Sequence, residues 1–326
     1  MSFRMNGVRR AVLGAAVLAL TLVASCGGSS QIKRFMPTRL IVFGDESSLL
    51  DDSASAGNAR KYSVNATVST TDPTLLCLSN GIWVQVLASY YGFVFKECNP
   101  AAAPITALMH AGQGAKVADI AAQVGQINGF VGTDLVTVLA GANDILDQYK
   151  RFPGVGEAQL TAELEASGAA LASQVNAIAN AGGKVLIATV PDLGLTPYAL
   201  AQKADPANAD TDRAALLTRL TARFNARLRA TIFNDGRRIG LLLSDELIQT
   251  IAKFPANYGF ANVIAAACLD TAPLPTCTTS NLQPAMGDVA AASALSWLWA
   301  DATHLSPGAH RSLGGLAATR ATNNPF

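Results

Sequence analysis

Two hydrophobic patterns alternate along this chain. Short continuous apolar runs, rich in β-branched residues, occur at Leu40-Ile41-Val42-Phe43, at Leu135 to Ala140, within Lys184 to Val190 and at Ile239 to Leu243. Runs of this length bounded by Gly or Pro predict strands buried on both faces. Between them lie longer segments whose apolar positions recur every three to four residues. The pattern predicts helices over 81–91, 114–127, 157–181, 211–233, 245–254 and 307–319. The helix over 157–181 stops at Gly182-Gly183, as helix ends commonly do. Strands alternating with helices imply a mostly parallel central sheet covered on both faces, a three-layer α/β/α sandwich of the α/β class. Residues 51–73, rich in Ser, Thr, Ala, Asn and Asp, predict a long loop. No repeat and no second boundary interrupts the pattern, so residues 39–326 are expected to form one domain.

The first residues break this alternation. Residues 1–25 combine a basic start, an apolar run from Ala11 to Ala24 and small residues before Cys26, which is the make-up of a secretory signal. Leu22-Val23-Ala24-Ser25-Cys26 resembles a bacterial lipobox, and a Gly-Gly-Ser-Ser stretch follows it. The expectation is lipidation at Cys26, a flexible tether over 26–38 and attachment to a membrane through the lipid. No Asp follows Cys26, and by the same resemblance the outer membrane of the bacterial envelope is the expected destination. Removing Arg4, Arg9 and Arg10 with the leader takes the formal net charge from +1 to about −2. With no basic patch left, nucleic acid is not an expected partner.

Four cysteines then remain, Cys77, Cys98, Cys268 and Cys277. An even count in an exported chain points to disulfides. Three pairings are possible, and the sequence-local one, Cys77–Cys98 with Cys268–Cys277, is expected. No CxxC pair occurs and the three histidines do not cluster near the cysteines, so no zinc site is expected.

Candidate chemistry lies at the ends of the predicted strands. Gly44-Asp45-Glu46-Ser47-Ser48 follows the first, and Gly141-Ala142-Asn143-Asp144 follows the second. In open α/β sheets ligands bind outside the carboxyl ends of strands. An Asn amide there can donate to an oxyanion. Asp301-Ala302-Thr303-His304 sets a carboxylate three residues before an imidazole, a spacing that can fix the ring and stabilise its charged form.

Taken in order from about Arg39 to about Leu316, these stretches resemble the SGNH (GDSL) hydrolase family, in its secreted lipase and esterase branch. Gly44-Asp45 matches the first block, Ser79-Asn80-Gly81-Ile82-Trp83-Val84 the second, Gly141-Ala142-Asn143-Asp144 the third and Asp301-Ala302-Thr303-His304 the last. The resemblance implies a flavodoxin-like sandwich and a serine ester hydrolase that needs no cofactor or metal. It implies an oxyanion hole from Gly81 and Asn143, and a small-molecule, lipid or glycan ester as substrate.

One position departs from the family. Where its nucleophilic Ser stands directly after Gly-Asp, this chain has Glu46, followed by Ser47 and Ser48. Three readings follow. In the first, the turn carries an extra residue and Ser47, His304 and Asp301 form a catalytic triad, which is the function expected here. In the second, Glu46 takes the slot, pairs with the imidazolium and fills the oxyanion hole, which leaves a non-catalytic envelope binding protein. In the third, Glu46 is itself catalytic, activating a water or acting as nucleophile.

Overall fold

A computed structural model describes residues 35–233, 236–285 and 289–323. The expected leader over 1–25, the lipidated Cys26 and most of the tether over 26–38 lie outside the described residues. Among the described residues no helix is long and apolar enough to cross a membrane.

In chain order the elements are β1 (Arg39–Gly44), β2 (Leu50–Asp51), β3 (Arg60–Lys61), α1 (Trp83–Tyr91), β4 (Ala107–Met109), α2 (Ile120–Val124), β5 (Asp134–Leu139), α3 (Ala142–Tyr149) and α4 (Glu157–Asn180). They continue as β6 (Lys184–Ala188), α5 (Pro197–Ala204), α6 (Arg213–Thr231), β7 (Ile239–Leu242), α7 (Ser244–Lys253), β8 (Asn262–Ala266), β9 (Trp297–Trp299) and α8 (Pro307–Asn323). The central sheet has five strands in the order β4-β1-β5-β6-β7, and every pairing within it is parallel. This is the doubly wound order expected of a flavodoxin-like sandwich. The chain reverses direction across the sheet between β1 and β5, and there the ends of the two strands open a crevice.

The β1 run explains why the sheet is central. Leu40 and Val42 enter one hydrophobic core with Trp83, Leu87, Trp299 and Leu313, whereas Ile41 and Phe43 enter the other with Val136, Leu171 and Phe224. All four strand residues are fully buried. Successive side chains of a strand point to opposite faces, so one uninterrupted apolar run serves both layers. Each such side chain contributes roughly 1.5–3 kcal/mol by leaving water.

Five features depart from the pattern-based expectation, one of them the parallel pairing of β8 with β9. The edge strand β4 is only three residues long. The segment expected as a helix over 114–127 is a loop that leads into a 3-10 turn at Val117–Asp119 and the short α2. The helices α3 and α5 were not apparent, because each is a mere eight residues long. Within the expected loop, β2 and β3 form a two-residue antiparallel ladder. Both sequence-local disulfides are formed, Cys77–Cys98 with Cα atoms 5.8 Å apart and Cys268–Cys277 with Cα atoms 6.0 Å apart.

Gly44 ends β1 at φ 140°, and a Cβ built there would lie 2.1 Å from the Leu139 carbonyl oxygen. Its peptide is also clamped on both sides: Gln123 accepts from the Gly44 N–H and donates to the Gly44 carbonyl, each at 2.8 Å. No L side chain fits that combination of conformation and contact. Gly44→Ala is therefore expected to lower unfolding stability in urea by about 3 kcal/mol or more, from strain and overpacking together. An unchanged urea midpoint would contradict this account of the turn.

Candidate active site

The crevice between the ends of β1 and β5 is built by three segments. After Gly44, Asp45 caps a single 3-10 turn, Glu46–Ser48, by accepting the Ser47 N–H at 3.0 Å. After β5, Gly141 starts α3 at φ 120°, where a Cβ would lie 2.4 Å from the Phe224 ring, and this places Asn143 in the first turn of the helix. The third segment is the loop between β9 and α8, which carries Asp301 and His304.

These segments bring one carboxylate to the centre, that of Glu46. The Asn143 side-chain amide donates to it, 3.1 Å from Oε2 and 3.3 Å from Oε1. The Gly114 backbone N–H donates to Oε2 at 2.8 Å. His304 Nε2 lies 3.4 Å from Oε1, in ion-pair contact. On the other side of the ring, His304 Nδ1 lies 2.9 Å from both oxygens of Asp301, which also accepts the His304 and Thr303 backbone N–H groups at 2.7 and 2.8 Å. The order is Glu46, His304, Asp301. Glu46 is 12% exposed at its side chain and His304 20%, so the cluster can still be reached from solvent.

Ser47 is not joined to this chain of contacts. It is half-buried, and no hydrogen bond links its hydroxyl to His304 among the described residues. In a 3-10 turn consecutive side chains are about 120° apart, so the residue after Glu46 faces elsewhere. Ser48 is fully buried, and its hydroxyl accepts the Trp83 indole N–H at 3.1 Å. Gly81 makes no hydrogen bond to Glu46 among the described residues. It precedes α1, where a Cβ would meet the Gln85 side chain at 3.3 Å, and the backbone donor beside Asn143 belongs to Gly114 instead. In the sequence Gly114 entered only as the start of the helix expected over 114–127, which gives no sign of which N–H faces the crevice. The loop is held there from α3, since Asn143 donates to the Ala115 carbonyl at 3.1 Å and Asp144 accepts the Val117 N–H at 3.0 Å.

The cluster is strongly polarised. Burial alone would push the His304 imidazole down, but hydrogen bonds and charge from Asp301 and Glu46 raise it to about 10. Burial pushes both carboxyls up, and pairing with His304 outweighs it, so that Asp301 and Glu46 stay below the usual carboxylate range. The neighbouring Asp45 is driven up to about 7, by burial and then by the Glu46 charge, and its Oδ2 has no partner. His310 is fully buried. Its Nδ1 accepts the Trp83 N–H at 3.3 Å, and burial pushes it down to about 3, so it stays neutral. His110 contacts Gln126 at 2.9 Å. Among the described residues no group of His, Cys, Asp or Glu could hold a metal ion.

Chemically, an imidazolium flanked by two carboxylates has no lone pair with which to deprotonate a hydroxyl. The Asn143 amide and the Gly114 N–H are both engaged by the Glu46 carboxylate. Glu46→Gln removes one of the two anions on the ring, and His304 is then expected to titrate well below 10, as read from its ring NMR signals. A ring still charged at pH 9 in that variant would contradict the pairing. Folding raises the His304 pKa from its ordinary 6.5 and lowers those of Asp301 and Glu46, so the stability this cluster contributes is complete between the ordinary carboxylate range and about pH 6.5, and is lost as pH rises through about 10 or falls through the depressed carboxyl values.

Solved structures similar to this chain include an extracellular lipase from Streptomyces rimosus, at 16% identity over 87% of this chain and 99% of that one, with a TM-score of 0.42. The acetylxylan esterase Axe2 from Geobacillus stearothermophilus is 14% identical over 88% of this chain and 95% of its own, with a TM-score of 0.41. LAE5, an alpha/beta hydrolase enzyme from the metagenome of Lake Arreo, Spain, is 13% identical over 87% and 94%, with a TM-score of 0.42. No curated protein matches the sequence. The family model of GDSL-like lipases and acylhydrolases matches residues 51–314, a span that begins just after the turn carrying Glu46 and takes in Asn143, Asp301 and His304. The chain belongs to the GDSL-like lipase/acylhydrolase family.

Proposed function

We propose that this chain is an exported, lipid-anchored envelope protein in which the ester-hydrolase site is held shut by its own carboxylate, so that the fold serves binding rather than acyl transfer. The observation that carries this reading is the position of Glu46, which receives Asn143 and Gly114 on its oxygens and pairs with His304. Those groups would otherwise hold the oxyanion of a tetrahedral intermediate and accept the nucleophile's proton. The carboxylate acts as a built-in mimic of the acid product. The family chemistry makes an ester-bearing lipid or glycan the class of ligand, and the Cys26 lipid would keep the protein at the outer membrane.

A second reading is favoured by one observation: Asp301, His304 and Asn143 are all in place, and a half-buried Ser47 directly follows Glu46. If the turn re-registers so that Ser47 replaces Glu46 at the ring, the protein is a serine ester hydrolase. Asp301 then orients His304, His304 acts as base and afterwards as acid, and Asn143 with Gly114 holds the oxyanion.

Hydrolysis of p-nitrophenyl acetate and butyrate separates the two. On the first reading the wild type is silent, and Glu46→Ser creates activity at least about 100-fold above it, the usual worth of a positioned general base. Wild-type turnover that disappears in Ser47→Ala would overturn the first reading and establish the second.

A further inference from the structure

A cleft runs along α1, apart from the Glu46 site, in two adjoining lobes of about 400 and 510 Å³. Each volume falls within the ~300–1,000 Å³ of ordinary small-molecule sites. Leu78, Gln85 and Ser89 line both lobes, so the two adjoin. The first lobe is walled largely by apolar groups, among them Ala88, Phe93, Phe95 and the Cys98 end of a disulfide. The second has hydroxyls from Ser79 and Ser89, and Arg311 from α8. Arg311 is the one charged side chain lining either lobe. It is exposed, and among the described residues it has no ion-pair or hydrogen-bond partner. Leu78, which lines both lobes, is 66% exposed.

A cleft with an unpaired guanidinium at one end and apolar walls at the other is complementary to a single-chain amphiphile with an anionic head. We propose that it binds a free fatty acid, with the carboxylate on Arg311 and the alkyl chain along Leu78, Ala88 and Phe93. Arg311 offers a carboxylate two parallel N–H donors. The apolar lobe offers no charge and few donors for a sugar or a peptide. The assignment rests on this cleft alone and is independent of whether the Glu46 site turns over.

Isothermal titration of the purified protein with dodecanoate, below its micellar concentration, tests it. The expected result is one site per chain, with affinity rising about four-fold per methylene from octanoate to dodecanoate. Dodecanol is expected to bind about five-fold more weakly than dodecanoate, and Arg311→Ala to remove that preference. Ser89→Trp, an exposed position lining both lobes, is expected to abolish binding. Any of three results would overturn the proposal: no binding at all, equal affinity for dodecanol and dodecanoate in the wild type, or binding kept in Ser89→Trp.

Discussion

One half-buried carboxylate organises this site. Glu46 gathers an amide from α3, a backbone N–H from the loop after β4 and an imidazolium from the loop before α8, three segments far apart in sequence. Removing a carboxylate from water is costly unless its oxygens are satisfied and its charge is matched. Here both oxygens are hydrogen-bonded and the charge faces His304, so the cluster is consistent as a resting state. His304 in turn needs Asp301, whose oxygens hold both the ring and the backbone of the loop that delivers it. Each member fixes the ionisation of the next, leaving two carboxylates around one imidazolium.

The fold supplies the rigidity this requires. β1 is buried on both faces, and at Gly44 it passes too close to the Leu139 carbonyl for any other residue. The turn that follows is therefore tightly specified. Asp45 caps it, and Trp83 anchors Ser48 beneath it. Because β1 and β5 are paired in parallel register, the turn after one and the helix start after the other meet at the same edge of the sheet. The Glu46–Asn143 contact is a consequence of strand order, even though 97 residues separate the two.

Much of this was legible in the sequence. The β1, β5, β6 and β7 runs are continuous apolar segments of strand length, rich in β-branched residues, which is how strands buried on both faces read. Asn143 and the Asp301–His304 pair could be singled out because each stands where a strand or loop meets a predicted crevice. The edge strand β4 and the helix α3 were not legible, since three and eight residues are too few for a period to emerge. Gly114 was hidden for a different reason: its contribution is a backbone N–H, and its identity depends on loop geometry rather than on a side chain. Which of Glu46 and Ser47 meets the His304 ring is likewise a matter of geometry. One step along a 3-10 turn redirects a side chain by about 120°, and composition carries no trace of that rotation.

Labelling with a fluorophosphonate, which reacts only with a serine activated by its neighbours, addresses the central claim most directly. If Glu46 occupies the nucleophile's place and keeps His304 charged, intact-mass and peptide analysis of the wild type will find no adduct on Ser47 or Ser48. A stoichiometric adduct on Ser47 would contradict the account and make this chain a working serine hydrolase.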